Sequence, residues 1–219
     1  MVTVSRRKKE KEQRKTAILK ASQQLFFKKG YQSVSVESIA RKAQISKGTV
    51  YLYFKSKEEI YAQILLNDIE RFNEEVSDIV DKGESAADVL RKFSDVYVDF
   101  FLNERELFRI MMTFMLRADN LNCSEEMNKH IICTTNKSVE VVNKILKQGF
   151  ETGEFYNRKD FIKGRNVVWG LLNGVISLHL FTGKESTRKD RIRYDVKEAL
   201  DVIIGGLKNP LFSPDVSGT

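Results

Sequence analysis

Proline is almost missing from this chain. Only Pro210 and Pro214 occur in 219 residues, against an ordinary share of about 5%, so residues 1–209 hold no ring that would break a helix. Cysteine is equally scarce. Cys123 and Cys133 are too few for a disulfide scaffold, and their spacing fits no CxxC zinc or redox pattern, which suits a reducing, cytoplasmic compartment. Histidine is limited to His130 and His179, and tryptophan to Trp169. The glycine-rich nucleotide motifs, HExxH and GxSxG do not occur, which leaves dinucleotide, zincin and serine-hydrolase chemistry without a carrier. No cofactor or metal is expected. Cys123, His130 and Cys133 share one helical stretch, but three soft ligands without a fourth make no zinc site.

Long hydrophobic runs are lacking as well. Asn166–Gly183 carries no charge, yet Asn166, Asn173, Ser177 and His179 interrupt it, and a membrane span needs about 20 mainly apolar residues. It reads as a buried helix. Arg6-Arg7-Lys8-Lys9 is basic like a signal peptide, but no apolar stretch follows it. No membrane partner is expected.

What is present is charge, unevenly placed. Residues 1–55 hold 14 Lys/Arg and 3 Asp/Glu, a net of +11, while residues 56–219 hold 23 and 27, a net of −4. A basic head on a mildly acidic body points to nucleic acid or an anionic surface as the partner of the head.

Helix-start patterns recur at Ser56–Glu59, Ser85–Asp88, Asn103–Glu106, Asn122–Glu125, Asn157–Asp160 and Thr187–Asp190, each a short polar side chain followed three residues later by an acid. They predict an all-α chain of about nine helices, near 12–29, 36–43, 47–54, 57–81, 86–102, 104–117, 124–152, 158–182 and 188–207. Gly30, Gly83, Gly153 and Gly183 stand where C-terminal caps belong. One segment resists: Thr49-Val-Tyr-Leu-Tyr-Phe54 is β-branched or aromatic except at Leu52, and propensity alone makes it a strand.

Its surroundings decide otherwise. Ile39, Ala40 and Ala43 share one helical face, and Ser46 can cap a second short helix starting at Lys47. Two short helices joined by a tight turn form a helix-turn-helix, whose second member fits the major groove. Lys47, Gly48, Thr49, Tyr51 and Tyr53 are then placed to meet DNA, with Val50 and Phe54 holding the helix on Ile39 and Ile45. Read in order, Ile18-Leu19, Ala21, Leu25-Phe26, Gly30-Tyr31, Ser33–Val36, Ile39-Ala40, Ala43, Ile45–Phe54 and Ser56–Glu58 resemble the N-terminal domain of the TetR (tetracycline repressor-like) family across about residues 14–60. The resemblance implies that helices 1–3 bind DNA and that later helices bind a small-molecule effector and a second subunit. It assigns phosphate contacts to Ser35, the Val36 backbone and Lys57, and places Ser46, Lys47, Gly48, Thr49, Tyr51 and Tyr53 on the recognition helix. Ser35 replaces the usual Thr and keeps the hydroxyl. Gln44 replaces a usual Gly at the turn, where a positive φ would strain it.

The expected organisation is a basic arm and DNA-binding domain at 1–57, an effector and dimerisation domain at 58–209, and a frayed tail at 210–219. Within the body, Phe93, Tyr97, Phe100 and Phe101, then Phe108, Met111, Met112 and Met115, then Trp169, are the candidate pocket walls, which calls for a largely apolar or aromatic effector. Arg109 is an isolated charge in that stretch, able to meet a ligand carboxylate or a neighbouring acid. Two apolar stripes, Val168, Leu171, Leu172, Val175, Ile176 and His179, and Val196, Leu200, Ile203, Ile204 and Leu207, suit either a four-helix packing between two subunits or the chain's own core. The reading is a ligand-responsive, homodimeric repressor of a palindromic double-stranded DNA operator, not an enzyme. Its rivals are a small helical enzyme with a DNA-binding-like head and a nonspecific nucleoid or membrane-surface protein.

Overall fold

The computed structural model describes residues 2–79, 83–103, 112, 123–156, 161–181 and 185–209. The described residues form eight α-helices: α1 Val2–Lys29, α2 Val36–Lys42, α3 Lys47–Tyr51, α4 Lys57–Ser77, α5 Ala86–Asn103, α6 Glu125–Glu151, α7 Phe161–Phe181 and α8 Glu185–Lys208. Apart from Met112, the helix expected at 104–117 lies outside the described residues, as does the tail at 210–219.

The chain divides into two compact units, Met1–Glu70 with Glu104–Thr134, and Arg71–Asn103 with Thr135–Thr219. In the first, α2 packs on both α1 and α3. Ile18, Phe26, Ile39, Val50, Phe54 and Ile60 form its buried centre. Phe26, Tyr31 and Tyr61 close one side, with ring centroids 5.6 Å, 5.2 Å and 4.4 Å apart. In the second unit, α8 packs on α7 and α5, around Leu90, Phe93, Val168, Leu172, Val196 and Leu200.

Two expectations about helix ends change. The basic segment Arg6–Lys9 is part of a helix that runs from Val2 instead of an arm ahead of one starting near residue 12, and Arg6 Nε donates to Glu10 Oε1 at 3.1 Å one turn away. Ser124 takes the Met127 amide at 3.2 Å ahead of a helix that starts at Glu125, while Asn122, the expected cap, lies outside the described residues. Thr187 lies inside α8, which already begins at Glu185. Ser56 and Ser85 do accept from the amides of Glu59 and Asp88, at 3.1 Å and 3.2 Å. The α5 start gains a second cap: Glu154 accepts from the Ala86 and Ala87 amides at 2.6 Å and 3.2 Å. Burial alone would raise the Glu154 carboxyl, but Lys208 and these amides outweigh it and the net shift is downward.

Gly149 went unnoticed in the sequence. A Cβ there would sit 2.1 Å from Phe155 Cδ2, so only glycine lets the buried Phe155 ring close the end of α6. Gln44, by contrast, does adopt φ 57°, a left-handed conformation that side chains disfavour. Gln44→Gly should relieve this strain and raise stability by about 0.5–1 kcal/mol, less whatever the freer unfolded chain takes back. Thermal unfolding of the two proteins checks it, and a lower midpoint for Gln44→Gly would count against a strained turn.

Candidate nucleic-acid interface

The turn at Gln44 sets α3 against α2, and capping fixes where each begins. Ser35 Oγ accepts from the Ser38 amide at 3.2 Å while Ser38 Oγ accepts from the Ser35 amide at 3.2 Å, a reciprocal box that the sequence pattern, which sought an acid, passed over. Ser46 Oγ accepts from the Thr49 amide at 3.0 Å and shares a hydrogen bond with Thr49 Oγ1 at 2.8 Å. Five residues are too few to be stable as an isolated helix, so α3 depends on its buried side: Val50 is fully buried and Phe54 nearly so. Leu52, midway between them, is 80% exposed, so the run does not alternate as a strand would, and the helix overrules the strand propensity of Thr49–Phe54.

The rest of the segment faces outward. Ser46, Lys47, Gly48 and Tyr51 are exposed, and Thr49 is half-buried. Ser35 is exposed and Val36 half-buried at the start of α2, where the first amides have no acceptor within the helix. Tyr53 departs from expectation. α3 ends at Tyr51, and Tyr53 stands in the following turn, its amide donating to the Val50 carbonyl at 3.0 Å. Lys57 also differs. Its Nζ donates to the Tyr31 carbonyl at 3.0 Å and lies 4.1 Å from the Tyr31 ring centroid, so a phosphate contact would require it to leave both. Glu58 accepts from the Tyr31 hydroxyl. Burial first, and this bond second, push that hydroxyl far above its ordinary range. Cys123 donates to the Glu58 carbonyl at 3.6 Å, and burial with the nearby Glu58 and Glu59 raises its thiol to about 11.

Sequence reasoning missed two residues of this face. Leu52 is 80% exposed beside the recognition helix, although its apolar neighbours Val50 and Phe54 are core. Glu37 bonds to Lys47 across the two helices. No local pattern signals either one.

The candidate pocket walls are met in part. Phe93, Tyr97, Phe100 and Phe101 on α5 gather with Phe72 and Trp169 in the second unit. Trp169 lies 5.9 Å from Phe93 and 5.0 Å from Tyr97, edge to face in each case. Tyr97 donates to Asn173 Oδ1 at 2.8 Å, and Asn173 Nδ2 donates to the Trp169 carbonyl at 2.9 Å. The Trp169 indole N–H is buried and has no hydrogen-bond partner. Met112 is half-buried and belongs to the first unit. Phe108, Arg109, Met111 and Met115 lie outside the described residues.

The two apolar stripes resolve differently from their assignment to a subunit contact. Val168, Leu172, Ile176, Val196, Leu200, Ile204 and Leu207 are buried within the single chain, because α7 and α8 pack on each other and on α5. They face the chain's own core and are not free to meet a partner. Leu171, Val175, Ile203 and His179 are half-buried, and His179 Nε2 bonds to Asp195 at 2.6 Å. The outward face of α7 carries Val167, Gly170, Gly174 and Leu178, and that of α8 carries Tyr194, Val202 and Gly205. A Cβ added at any of these three glycines would meet nothing within 4 Å.

Among the described residues, no three His, Cys, Asp or Glu gather as a metal site, so Cys123, His130 and Cys133 do not converge. No helix among them is long and apolar enough to cross a membrane.

A capped helix-turn-helix on a basic, all-α chain defines a DNA-binding regulator. Residues 18–64 match the family model of bacterial regulatory proteins of the tetR family. The chain is 25% identical over 213 residues to the HTH-type transcriptional regulator YerO of Bacillus subtilis (strain 168), covering 94% of this chain and 69% of that one. The solved TetR-family transcriptional regulator PfmR of Thermus thermophilus is also 25% identical, with a TM-score of 0.69, covering 88% and 99% of the two chains. The fatty acid regulator FadR of Bacillus subtilis, solved in complex with stearoyl-CoA, shares the fold at a TM-score of 0.71 and 21% identity over 87% and 98%. The match to the tetR family thus lies in residues 18–64, and over most of its length the chain is similar to TetR-type transcriptional regulators. These relatives are transcriptional regulators.

Proposed function

We propose that the protein is a homodimeric repressor, acting in the cytoplasm, whose two heads read a palindromic operator and whose effector is an apolar small molecule. The observation that carries this reading is the exposed, Ser46-capped α3, seated on buried Val50 and Phe54 in a head of net charge +11. The charge supplies salt-dependent attraction to any duplex, and the exposed side chains of α3 supply sequence reading. A twofold dimer pairs two such heads with two half-sites. The outward faces of α7, with Val167 and Leu178, and of α8, with Tyr194 and Val202 beside Glu198, are the surfaces offered for that pairing.

Lys47→Ala should weaken operator binding by about 1–3 kcal/mol if Lys47 reads a base. Binding titrations at several salt concentrations test it. Unchanged affinity would take Lys47 off the reading surface, and a salt slope with no preference among duplexes would favour a nonspecific nucleoid protein.

The aromatic cluster around Trp169 supports the effector half of the proposal. It is apolar, and the unpaired indole N–H offers one donor to a ligand acceptor. A long-chain acyl compound, the class held by the FadR neighbour, is the first to test. A ligand lowers DNA affinity only through its differential affinity for the two states of the protein, and a hundredfold drop needs about 2.7 kcal/mol of coupling. The experiment is titration of acyl-CoA followed by Trp169 emission, with operator release in parallel. Emission changes without release would sink induction through this cluster.

A further inference from the structure

Across the helix-turn-helix, Lys47 Nζ on α3 donates to Glu37 Oε1 on α2. The two side chains are 49% and 52% exposed, and the ammonium lies 6.0 Å from the Tyr51 ring centroid. The bond from Lys47 is the main reason that the Glu37 carboxyl sits below its ordinary range, and the same bond raises Lys47.

Exposed pairs of this kind add little stability, since water screens both charges. A carboxylate on a face that meets phosphates also weakens attraction to every duplex alike. What the pair does provide is a cationic donor and an anionic acceptor held side by side at the start of the recognition helix.

That pattern has a complement in the major groove. Guanine presents two adjacent acceptors, N7 and O6, and its cytosine partner presents the N4 amino donor. An ammonium followed by a carboxylate matches this order. An A·T pair interleaves acceptor, donor and acceptor, so the ammonium meets one acceptor only, and thymine turns O4 and its methyl group toward the carboxylate.

We propose that Glu37 and Lys47 together read one G·C base pair in each half-site, Lys47 donating to guanine and Glu37 accepting from the cytosine amino group. This rests on the operator-reading proposal above and makes Glu37 a specificity-determining residue. On docking, the Lys47–Glu37 bond exchanges for bonds to the base pair, so neither charge is left unpartnered.

The test is selection of bound duplexes from a randomised pool by the full-length protein, Glu37→Ala and Lys47→Ala, with affinities measured on the enriched sites. Glu37 is solvent-exposed, and helical circular dichroism of the variant confirms that the head is folded. The wild type should enrich a motif with a fixed G·C pair at one position per half-site. Glu37→Ala should relax that position by about tenfold, at the same place relaxed by Lys47→Ala, while its affinity for random duplex rises. If Glu37→Ala enriches the wild-type motif unchanged, or changes affinity equally on all sites, the pair does not read a base and the proposal falls. If the wild type enriches no motif at all, it is the operator reading itself that fails, and the two failures are thereby told apart.

Discussion

Replacing Phe93 with alanine is expected to destabilise the second unit by about 3–5 kcal/mol. The ring is fully buried, and its centroid lies 6.0 Å from that of Phe72, 6.2 Å from Tyr97 and 5.9 Å from Trp169. Two losses add. The apolar surface of the ring no longer contributes its burial to folding, and the surrounding aromatics lose contacts that a partial collapse cannot restore. The midpoint of thermal unfolding should fall by on the order of 10 °C for a chain of this size. Phe93→Leu retains most of the volume and should cost nearer 1 kcal/mol. An apolar hole of this kind stays dry and binds small aromatics, so benzene should raise the unfolding midpoint of Phe93→Ala more than that of the parent. A drop below about 1 kcal/mol for Phe93→Ala would mean that the ring is not part of a closed core.

The helix-turn-helix was legible because its determinants are local. Ser46 caps the helix that starts at Lys47, Ile39 and Ala40 are buried as their spacing requires, and the positive φ expected at the turn falls on Gln44. Even the strand-prone run Thr49–Phe54 could be read correctly, since its neighbours demanded burial at Val50 and Phe54 together. Where α3 stops could not. Leu52 favours a helix and its tyrosine neighbours a strand, so local preference does not mark the turn that follows Tyr51.

Other features depend on distances that no local pattern carries. Glu37 and Lys47 meet only because of the angle between α2 and α3. The need for glycine at 149 exists only because Phe155 folds back on it. At the start of α6, Asn122 and Ser124 are both short polar residues ahead of acids, and sequence alone cannot choose between two caps two positions apart. The stripes on α7 and α8 are the most instructive case. α7 carries apolar residues on several sides, Val167 and Val168 being adjacent yet one exposed and one buried. Periodicity shows that an apolar face is buried but not whether the same chain or another buries it.

That distinction shapes the second large effect. Val202→Asp should break a homodimer while leaving the protomer folded. Val202 is 76% exposed in the single chain, on the outward face of α8 with Tyr194 and Gly205, so an aspartate there is solvated in the monomer and strains nothing. In a twofold contact through this face the substitution acts twice, once from each subunit. Each carboxylate would lose water without a partner, at an effective cost of several kcal/mol per ion. The dissociation constant of the dimer should therefore rise by about a hundredfold or more, and operator affinity should fall with it as the two half-sites bind independently. Leu172→Asp is the contrast. Leu172 is fully buried between helices of its own chain, and a charge there should lower helical content and the unfolding midpoint at every protein concentration. Sedimentation across a range of concentrations, with circular dichroism in parallel, separates the two behaviours. A Val202→Asp protein that sediments as the parent does would remove the outward face of α8 from the subunit contact. A Leu172→Asp protein that stays folded and merely dissociates would return the inner stripe to the interface and overturn its place in the core.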